Sequence, residues 1–242
     1  MKLKSSAFRR NPSVMNRKPC CPSSLTSFYP LPQLLPVLLL FLVFPILRGT
    51  TDDEAAEKIT FLPKNEAYTE PVTGALFPAA APGGYAKNQV SRHLNPVYGT
   101  VIRYSNENGA CADVYVYSLD TGARPVTQEQ MDAHYAEVRK TILDLPEKNG
   151  PVSSVSVVEE KMLFQDRPDI RGTLFLMGVG EEETFSALVL FLCKGKIVKL
   201  RVSYPTDRTE EKAEANAFIQ EIIGIFADAG KKQTPAVNPS AG

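Results

Sequence analysis

The sequence predicts an α+β fold, in which a predominantly antiparallel β-sheet with covering helices forms an α/β/α sandwich. Three observations indicate it: three consecutive strands in residues 172–204, a β-hairpin in residues 98–119, and two amphipathic helices, 127–145 and 207–228. A helix with one apolar stripe has to lie on another element, and a sheet with a central strand that is apolar on both faces needs a cover on each side.

The central strand is the run 187–192 (ALVLFL), which is apolar at six successive positions. A strand with one solvated face would alternate, so this run predicts burial on both faces. The next strand, 197–204, does alternate. We expect its apolar residues on one face and Lys199, Arg201 and Ser203 on the other, where alanine at Lys199 should cost far less stability than alanine in the central strand.

Lys194 and Gly195 predict a two-residue hairpin turn between these two strands. Such a turn fixes which residues lie opposite each other. The predicted pairs are Phe191 with Val198, Val189 with Leu200, and Ala187 with Val202.

The other hairpin consists of strands 98–104 and 111–119, because the segment 106–109 (NENG) between them favours a turn. Its tyrosines allow two interpretations. Cross-strand packing is favoured, because aromatic residues are common in strands whatever their function. The alternative is a binding surface, whose candidate residues are Tyr104, Tyr115, Tyr117 and His93.

Thr127 and Gln130 predict a capping box at the start of the first helix. His134 lies off the apolar stripe of that helix, so we expect it to be an exposed surface residue. Residues 63–97 contain five prolines and three glycines, which predict a loop-rich segment that packs on the sheet. A short strand is expected at 58–62, and a further strand at 152–164.

The N-terminal residues have the order of a secretory leader. A basic segment precedes the 14-residue apolar run 34–47, which is shorter than the roughly 20 residues of a membrane span. We therefore expect residues 1–49 to be a signal peptide or signal anchor, starting at Met1 or Met15. Residues 50–229 then form a single α+β domain, and 230–242 a disordered tail.

The formal net charge of zero conceals an asymmetry. The chain has 27 basic and 27 acidic residues, and seven of the basic ones lie in residues 1–48, which contain no acid. The remainder therefore carries 20 basic against 27 acidic residues, a net charge of −7. Nucleic-acid binding needs a basic surface, so we expect no nucleic-acid partner.

Two segments carry a resemblance: VYGTVIRYSNENGACADVYVYSL in the first hairpin and ALVLFLCKGKIVKLRVSYP before the last helix. With the element order, they resemble the Mog1/PsbP-like domains of exported bacterial and thylakoid-lumen proteins, over roughly residues 58–229. The resemblance implies the α/β/α sandwich and a binding or assembly module rather than an enzyme. It implies no functional residue at any position.

Catalytic motifs are missing from the sequence. It contains no His-Glu-x-x-His, Gly-x-Ser-x-Gly or Cys-x-x-Cys, so we assign no catalytic residue, cofactor or metal ligand. Two hypotheses remain: an exported non-catalytic binding or assembly module and, as the alternative, an exported hydrolase-type enzyme with a dispersed site. The partner is an unknown protein or small molecule. Membrane contact is expected only through 34–47, if the leader stays uncleaved.

Cys111 and Cys193 are the two cysteines outside the leader. A disulfide between them would need Cα atoms about 4.4 to 6.8 Å apart. The favoured interpretation is two free cysteines acting as small apolar strand residues.

Export gives the first testable prediction. A reporter that is active only in the periplasm, fused to the C-terminus, should be active, because the basic leader and its apolar run direct export. An inactive reporter on full-length protein that accumulates in the cytoplasm would contradict the expectation.

Overall fold

The computed structural model describes residues 60–61, 66–122, 124–148, 150–160 and 167–231. The predicted leader, 1–49, and the tail residues 232–242 lie outside them. The helices are α1 (Gln128–Leu143) and α2 (Thr209–Lys231), and a 3-10 helix at Leu145–Lys148 follows α1. The strands are β1 (Thr60–Phe61), β2 (Tyr68–Thr69), β3 (Leu76–Phe77), β4 (Ala80–Ala81), β5 (Tyr85–Arg92), β6 (Thr100–Ser105), β7 (Cys111–Tyr117), β8 (Val152–Glu160), β9 (Arg171–Val179), β10 (Glu182–Cys193) and β11 (Lys196–Pro205).

Nine of the described strands form one antiparallel sheet. Its order is β1-β5-β6-β7-β11-β10-β9-β8, with β4 added beside β5, while β2 and β3 form a separate two-stranded sheet. The chain runs through β9, β10 and β11 as a meander, which confirms the three consecutive strands predicted for 172–204. The antiparallel sheet with covering helices confirms the α+β sandwich.

The turn between β10 and β11 is the predicted two-residue turn. Lys194 has φ +49° and Gly195 has φ +70°, the left-handed conformation that a type I′ hairpin turn requires at both central residues. It sets the register Phe191↔Val198, Val189↔Leu200 and Ala187↔Val202, as predicted.

Each face of the sheet has its own apolar core, because one helix covers each face. Helix α2 lies over Val189, Leu200 and their neighbours, whereas α1 lies over Leu188, Leu190 and theirs. Six successive residues of β10, 186–191, are buried, so β10 is the strand covered on both sides. This arrangement confirms the central strand predicted from the run ALVLFL.

Local sequence signals place both helices. The Thr127 hydroxyl accepts a hydrogen bond from the backbone N–H of Gln130, and the Gln130 side chain accepts one from the backbone N–H of Thr127, which confirms the capping box. Helix α2 begins at Thr209 rather than at Asp207 and ends at Lys231. Its buried residues include Phe218, Ile219, Ile222 and Phe226, which recur at the spacing of one face of a helix, as an amphipathic helix requires.

One element differs from the expectation. The segment 63–97 was expected to be loop-rich, but it contains the eight-residue strand β5, which pairs with β6. No proline lies between Pro82 and Pro96, so nothing there blocks a strand. Its alternation is weak because only Tyr85 and Val90 are large apolar residues, and a register shift between Lys87 and Gln89 interrupts it further.

Cys111 and Cys193 do not form a disulfide with each other. Cys111 lies opposite Ser203 and Cys193 opposite Lys196, so they lie near opposite ends of β11. Cys193 belongs to the core under α2, where its Sγ lies 3.7 Å from the carbonyl oxygen of Phe226. Of the described helices, neither is long and apolar enough to cross a membrane.

Leu190→Ala tests the position of the central strand. Because Leu190 is fully buried under α1, the change should lower the free energy of unfolding by about 2 to 4 kcal/mol, measured by urea denaturation. Val158→Ala is the matched control, since Val158 is 48% exposed on β8 and its loss should change stability by less than about 0.5 kcal/mol. Equal losses in the two variants would show that β10 is not the buried strand.

Candidate functional site

A cavity of about 420 Å³ lies between helix α1 and the sheet. Helix α1 packs mainly on β8, β9 and β10, so it covers only part of its face of the sheet. The neighbouring part, built from β5, β6, β7 and β11, stays open beside the helix and forms the floor of the cavity. The cavity thus results from one helix on a sheet too wide for it to cover.

The loop 93–99 between β5 and β6 contributes His93, Val97 and Tyr98 to the cavity lining. The side chain of Asn95 accepts a hydrogen bond from the backbone N–H of Val97 (3.0 Å), which holds the turn. Gly99 ends the loop with φ +58°, and a Cβ there would lie 1.9 Å from the carbonyl oxygen of Val116. Only glycine fits this close approach to β7.

Apolar side chains form much of the cavity wall. Val138 and Ile142 come from α1, and Val101 and Leu188 from the sheet. Ligand sites of this size are commonly lined by apolar and aromatic side chains with a few polar groups.

Lys199 is the first of two cations at the floor. Its Nζ lies 4.2 Å from the centre of the Tyr115 ring and 5.6 Å from that of Tyr117, both cation–π distances. It forms no hydrogen bond or salt bridge with any described residue. Burial lowers the pKa of Lys199 to about 8, and the neighbouring Arg201 contributes to this shift.

Arg201 is the second cation, two residues further along β11 on the same face. Its Nε donates to Ser186 Oγ (2.6 Å), and a terminal guanidinium nitrogen lies 3.1 Å from Met177 Sδ. Both partners are neutral. Burial lowers the pKa of the Arg201 guanidinium, yet a group with so high an ordinary pKa remains charged at neutral pH.

A third cation, Arg103, is neutralised within the protein. Its Nε lies 2.7 Å from Asp113 Oδ1 and a terminal nitrogen 3.3 Å from Oδ2, and the Tyr115 hydroxyl donates to Oδ2 at 3.4 Å. The Asp113 carboxylate therefore already accepts hydrogen bonds on both oxygens.

Tyr117 and His134 share a hydrogen bond of 2.7 Å between the phenol oxygen and Nε2. Burial lowers the pKa of His134 to about 4 and raises the pKa of Tyr117. Glu137 Oε2 lies 3.9 Å from His134 Nδ1, but that carboxylate is 80% exposed and is screened by water, so burial dominates. Both groups of the pair are thus neutral at neutral pH.

The structure brings together three of the four residues of the sequence-derived binding surface. Tyr115, Tyr117 and His93 all line the cavity. Tyr104 lies on the opposite face, fully buried against Phe218, with its hydroxyl donating to the carbonyl oxygen of Pro78. The register explains the separation, because Tyr104 pairs with Ala112 and so shares the face of Ala112 rather than that of Tyr115.

Sequence reasoning missed His134, Lys199 and Arg201. His134 was expected to be exposed, but its side chain is only 15% exposed, because positions 134, 138 and 141 form a second helical stripe that faces the cavity. Lys199 and Arg201 alternate with apolar residues, a pattern that a solvated strand face also produces. The spacing of Val138 and Thr141 from His134 was the one available signal.

Two other kinds of site were considered in the described part of the chain: a metal site and a second cavity. No group of three or more His, Cys, Asp or Glu side chains there is placed to hold a metal ion. A second void, beside Gly172 and Tyr204, measures about 20 Å³ and has room for little more than a water molecule.

No protein-family model matches the sequence, and no curated protein is similar to it. Among solved structures, the chain is similar to cyanobacterial PsbP from Synechocystis (12% identity, 75% of this chain and 96% of that chain, TM-score 0.40). It is also similar to the Saccharomyces cerevisiae Ran-binding protein Mog1p (13%, 72% and 95%, 0.31) and to a mutant of Mog1 (13%, 58% and 88%, 0.30). The weak Mog1/PsbP-like resemblance seen in the sequence is confirmed as a distant likeness.

Lys199→Met tests whether the buried ammonium costs stability. Each unit of pKa shift corresponds to about 1.4 kcal/mol, so at pH 7 the variant should be more stable than the wild type by roughly 1 to 2 kcal/mol after loss of the cation–π contact. The folded pKa is below the unfolded value of 10.5. The advantage should therefore be complete below about pH 8 and shrink as the pH rises towards 10.5.

Urea unfolding at pH 7 and pH 10 measures this difference. Lys212→Met, at an exposed position on α2, is the control and should show no such pH dependence. A Lys199→Met variant that is less stable than the wild type at pH 7 would show that the ammonium is stabilising.

Proposed function

We propose that this protein is an exported, non-catalytic binding module that takes a small ligand into the cavity beside α1. The observation that carries the proposal is the cavity itself: about 420 Å³, with aliphatic and tyrosine walls and a few convergent polar groups. That combination is the usual form of a small-molecule site. Export rests on the basic leader and the apolar run 34–47.

A small molecule fits this site better than a protein surface does. The cavity is a recess between a helix and a sheet, whereas protein interfaces are broad and have an apolar centre. The large apolar side chains that are exposed in the described residues are scattered over several segments, among them Val72, Leu94 and Val158.

The cavity chemistry favours binding over hydrolysis. Nucleophilic catalysis needs a hydroxyl or thiol beside a base. Among the lining residues, the Ser91 hydroxyl accepts a hydrogen bond from Gln89, and no described hydrogen bond joins Ser91 or Thr141 to a histidine. His134 is bonded to Tyr117, a phenol whose raised pKa makes it a poor nucleophile.

Occlusion of the cavity tests the proposal. Nile red, a neutral apolar dye, should bind the wild-type protein and gain fluorescence. Thr141→Trp places an indole in the cavity from α1 and should weaken dye binding by roughly tenfold or more through loss of apolar contact. Ala136→Trp, on the exposed side of the same helix, is the matched control and should bind dye as the wild type does.

Thermal unfolding of both variants checks that each is folded. If Thr141→Trp does not fold, Val138→Trp serves as the occluding variant instead. Equal dye binding by the occluding and control variants would contradict a binding site in the cavity. Nile red binding does not report catalysis. A hydrolytic enzyme would be recognised by turnover of ester substrates that is lost in the occluding variant.

A further inference from the structure

We propose that the ligand of this cavity is a small organic carboxylate with an apolar body, bound by Lys199 and Arg201. The inference rests on the proposed function, since it names the ligand class of the same site. It follows from an imbalance of charge: the cavity has more cationic side chains than the single neighbouring carboxylate, Asp113, can neutralise.

Of the described residues, the cations Arg103, Lys199 and Arg201 line the cavity, and no acidic residue does. Asp113, the carboxylate nearest to them on β7, forms its salt bridge with Arg103. Neither Lys199 nor Arg201 lies within 4 Å of a carboxylate in the described part of the chain. Asp113 acts on both cations only through the longer-range Coulomb attraction, so neither has a carboxylate in direct contact among the described residues.

The placement of these two cations suits one anion. Lys199 and Arg201 are two residues apart on β11, so their side chains leave the same face of the sheet side by side. A carboxylate can accept from both, because its two oxygens provide several acceptor positions. Such an anion would supply the hydrogen-bond acceptor that the Lys199 ammonium does not find in the described protein.

Asp113 does not take this role in the structure, because its hydrogen bonds go to other residues. Both of its oxygens accept from Arg103, and one also accepts from Tyr115. In register, Asp113 lies between Arg103 on β6 and Arg201 on β11, yet the described hydrogen bonds of Arg201 go to Ser186 and Met177.

The remainder of the cavity selects the body of the ligand. Val101, Val138, Ile142 and Leu188 offer apolar contact. Tyr117 and His134 hydrogen-bond to each other and are neutral, so this pair adds no charge to the cavity wall. A carboxylate at one end and an apolar group at the other therefore match the two halves of the site.

Isothermal titration of the whole protein with phenylacetate and with phenylacetamide tests the inference, because the two probes differ only in the charged group. Wild-type protein should bind phenylacetate at least about tenfold more tightly than phenylacetamide, the effect expected from one hydrogen-bonded ion pair. Lys199→Met should reduce that preference severalfold, because only Arg201 is then left to bind the carboxylate, and Lys212→Met should retain it. Acetate and inorganic phosphate, charges without an apolar body, should bind more weakly than phenylacetate.

The outcomes separate the two proposals. Equal binding of the acid and the amide, blocked by Thr141→Trp, would overturn the carboxylate preference and leave the binding function standing. Phenylacetate binding that survives both Lys199→Met and Thr141→Trp would place the acid outside the cavity and overturn the inference. Inorganic phosphate binding as tightly as phenylacetate would show that the site takes a bare anion and would also overturn it. Failure of both probes and of Nile red to bind would overturn both proposals.

Discussion

The pairing of β10 with β11 is the constraint on which the rest of the structure depends. A two-residue turn at Lys194 and Gly195 allows one register, and that register places apolar residues of both strands under α2. Because side chains alternate along a strand, the same register sends Lys199 and Arg201 to the α1 face. A shift of one residue would bury these cations under α2 and expose the apolar core, so the turn that specifies the fold also specifies the site.

The width of the sheet decides where the site lies. Nine strands on one sheet present a wider face than the 16-residue helix α1 covers. Helix α1 lies over β8, β9 and β10, where Leu190, Phe175 and Met177 pack against it. Beyond its edge, the sheet carries polar and aromatic side chains instead of an apolar core, as expected for a face that meets solvent or a ligand. The cavity is the boundary between these two parts.

Burying the charges of Lys199 and Arg201 destabilises the folded state, and a purely structural role does not explain why they are there. Burial lowers the pKa of each group and outweighs the attraction of Asp113, and neither cation forms a salt bridge with a carboxylate in the described residues. Groups that reduce stability in this way are typical of functional sites, where a bound ligand supplies their missing hydrogen-bond partners. The neutral pair Tyr117–His134 is satisfied internally and acts as part of the wall.

The sequence by itself determined the elements whose signals are local. The run ALVLFL, the Lys194-Gly195 turn, the NENG turn and the Thr127–Gln130 capping box each depend on neighbouring residues, and each is present in the structure. The register of the NENG hairpin would also have separated Tyr104 from Tyr115, because residues opposite each other share a face.

Tertiary structure alone decided the rest. Strand β5 has few large apolar residues and forms through its hydrogen bonds to β6, and His134 is buried because of the sheet on which its helix lies. Lys199 and Arg201 have the same alternation on a solvated face as on a cavity floor, and only the partial cover by α1 distinguishes the two.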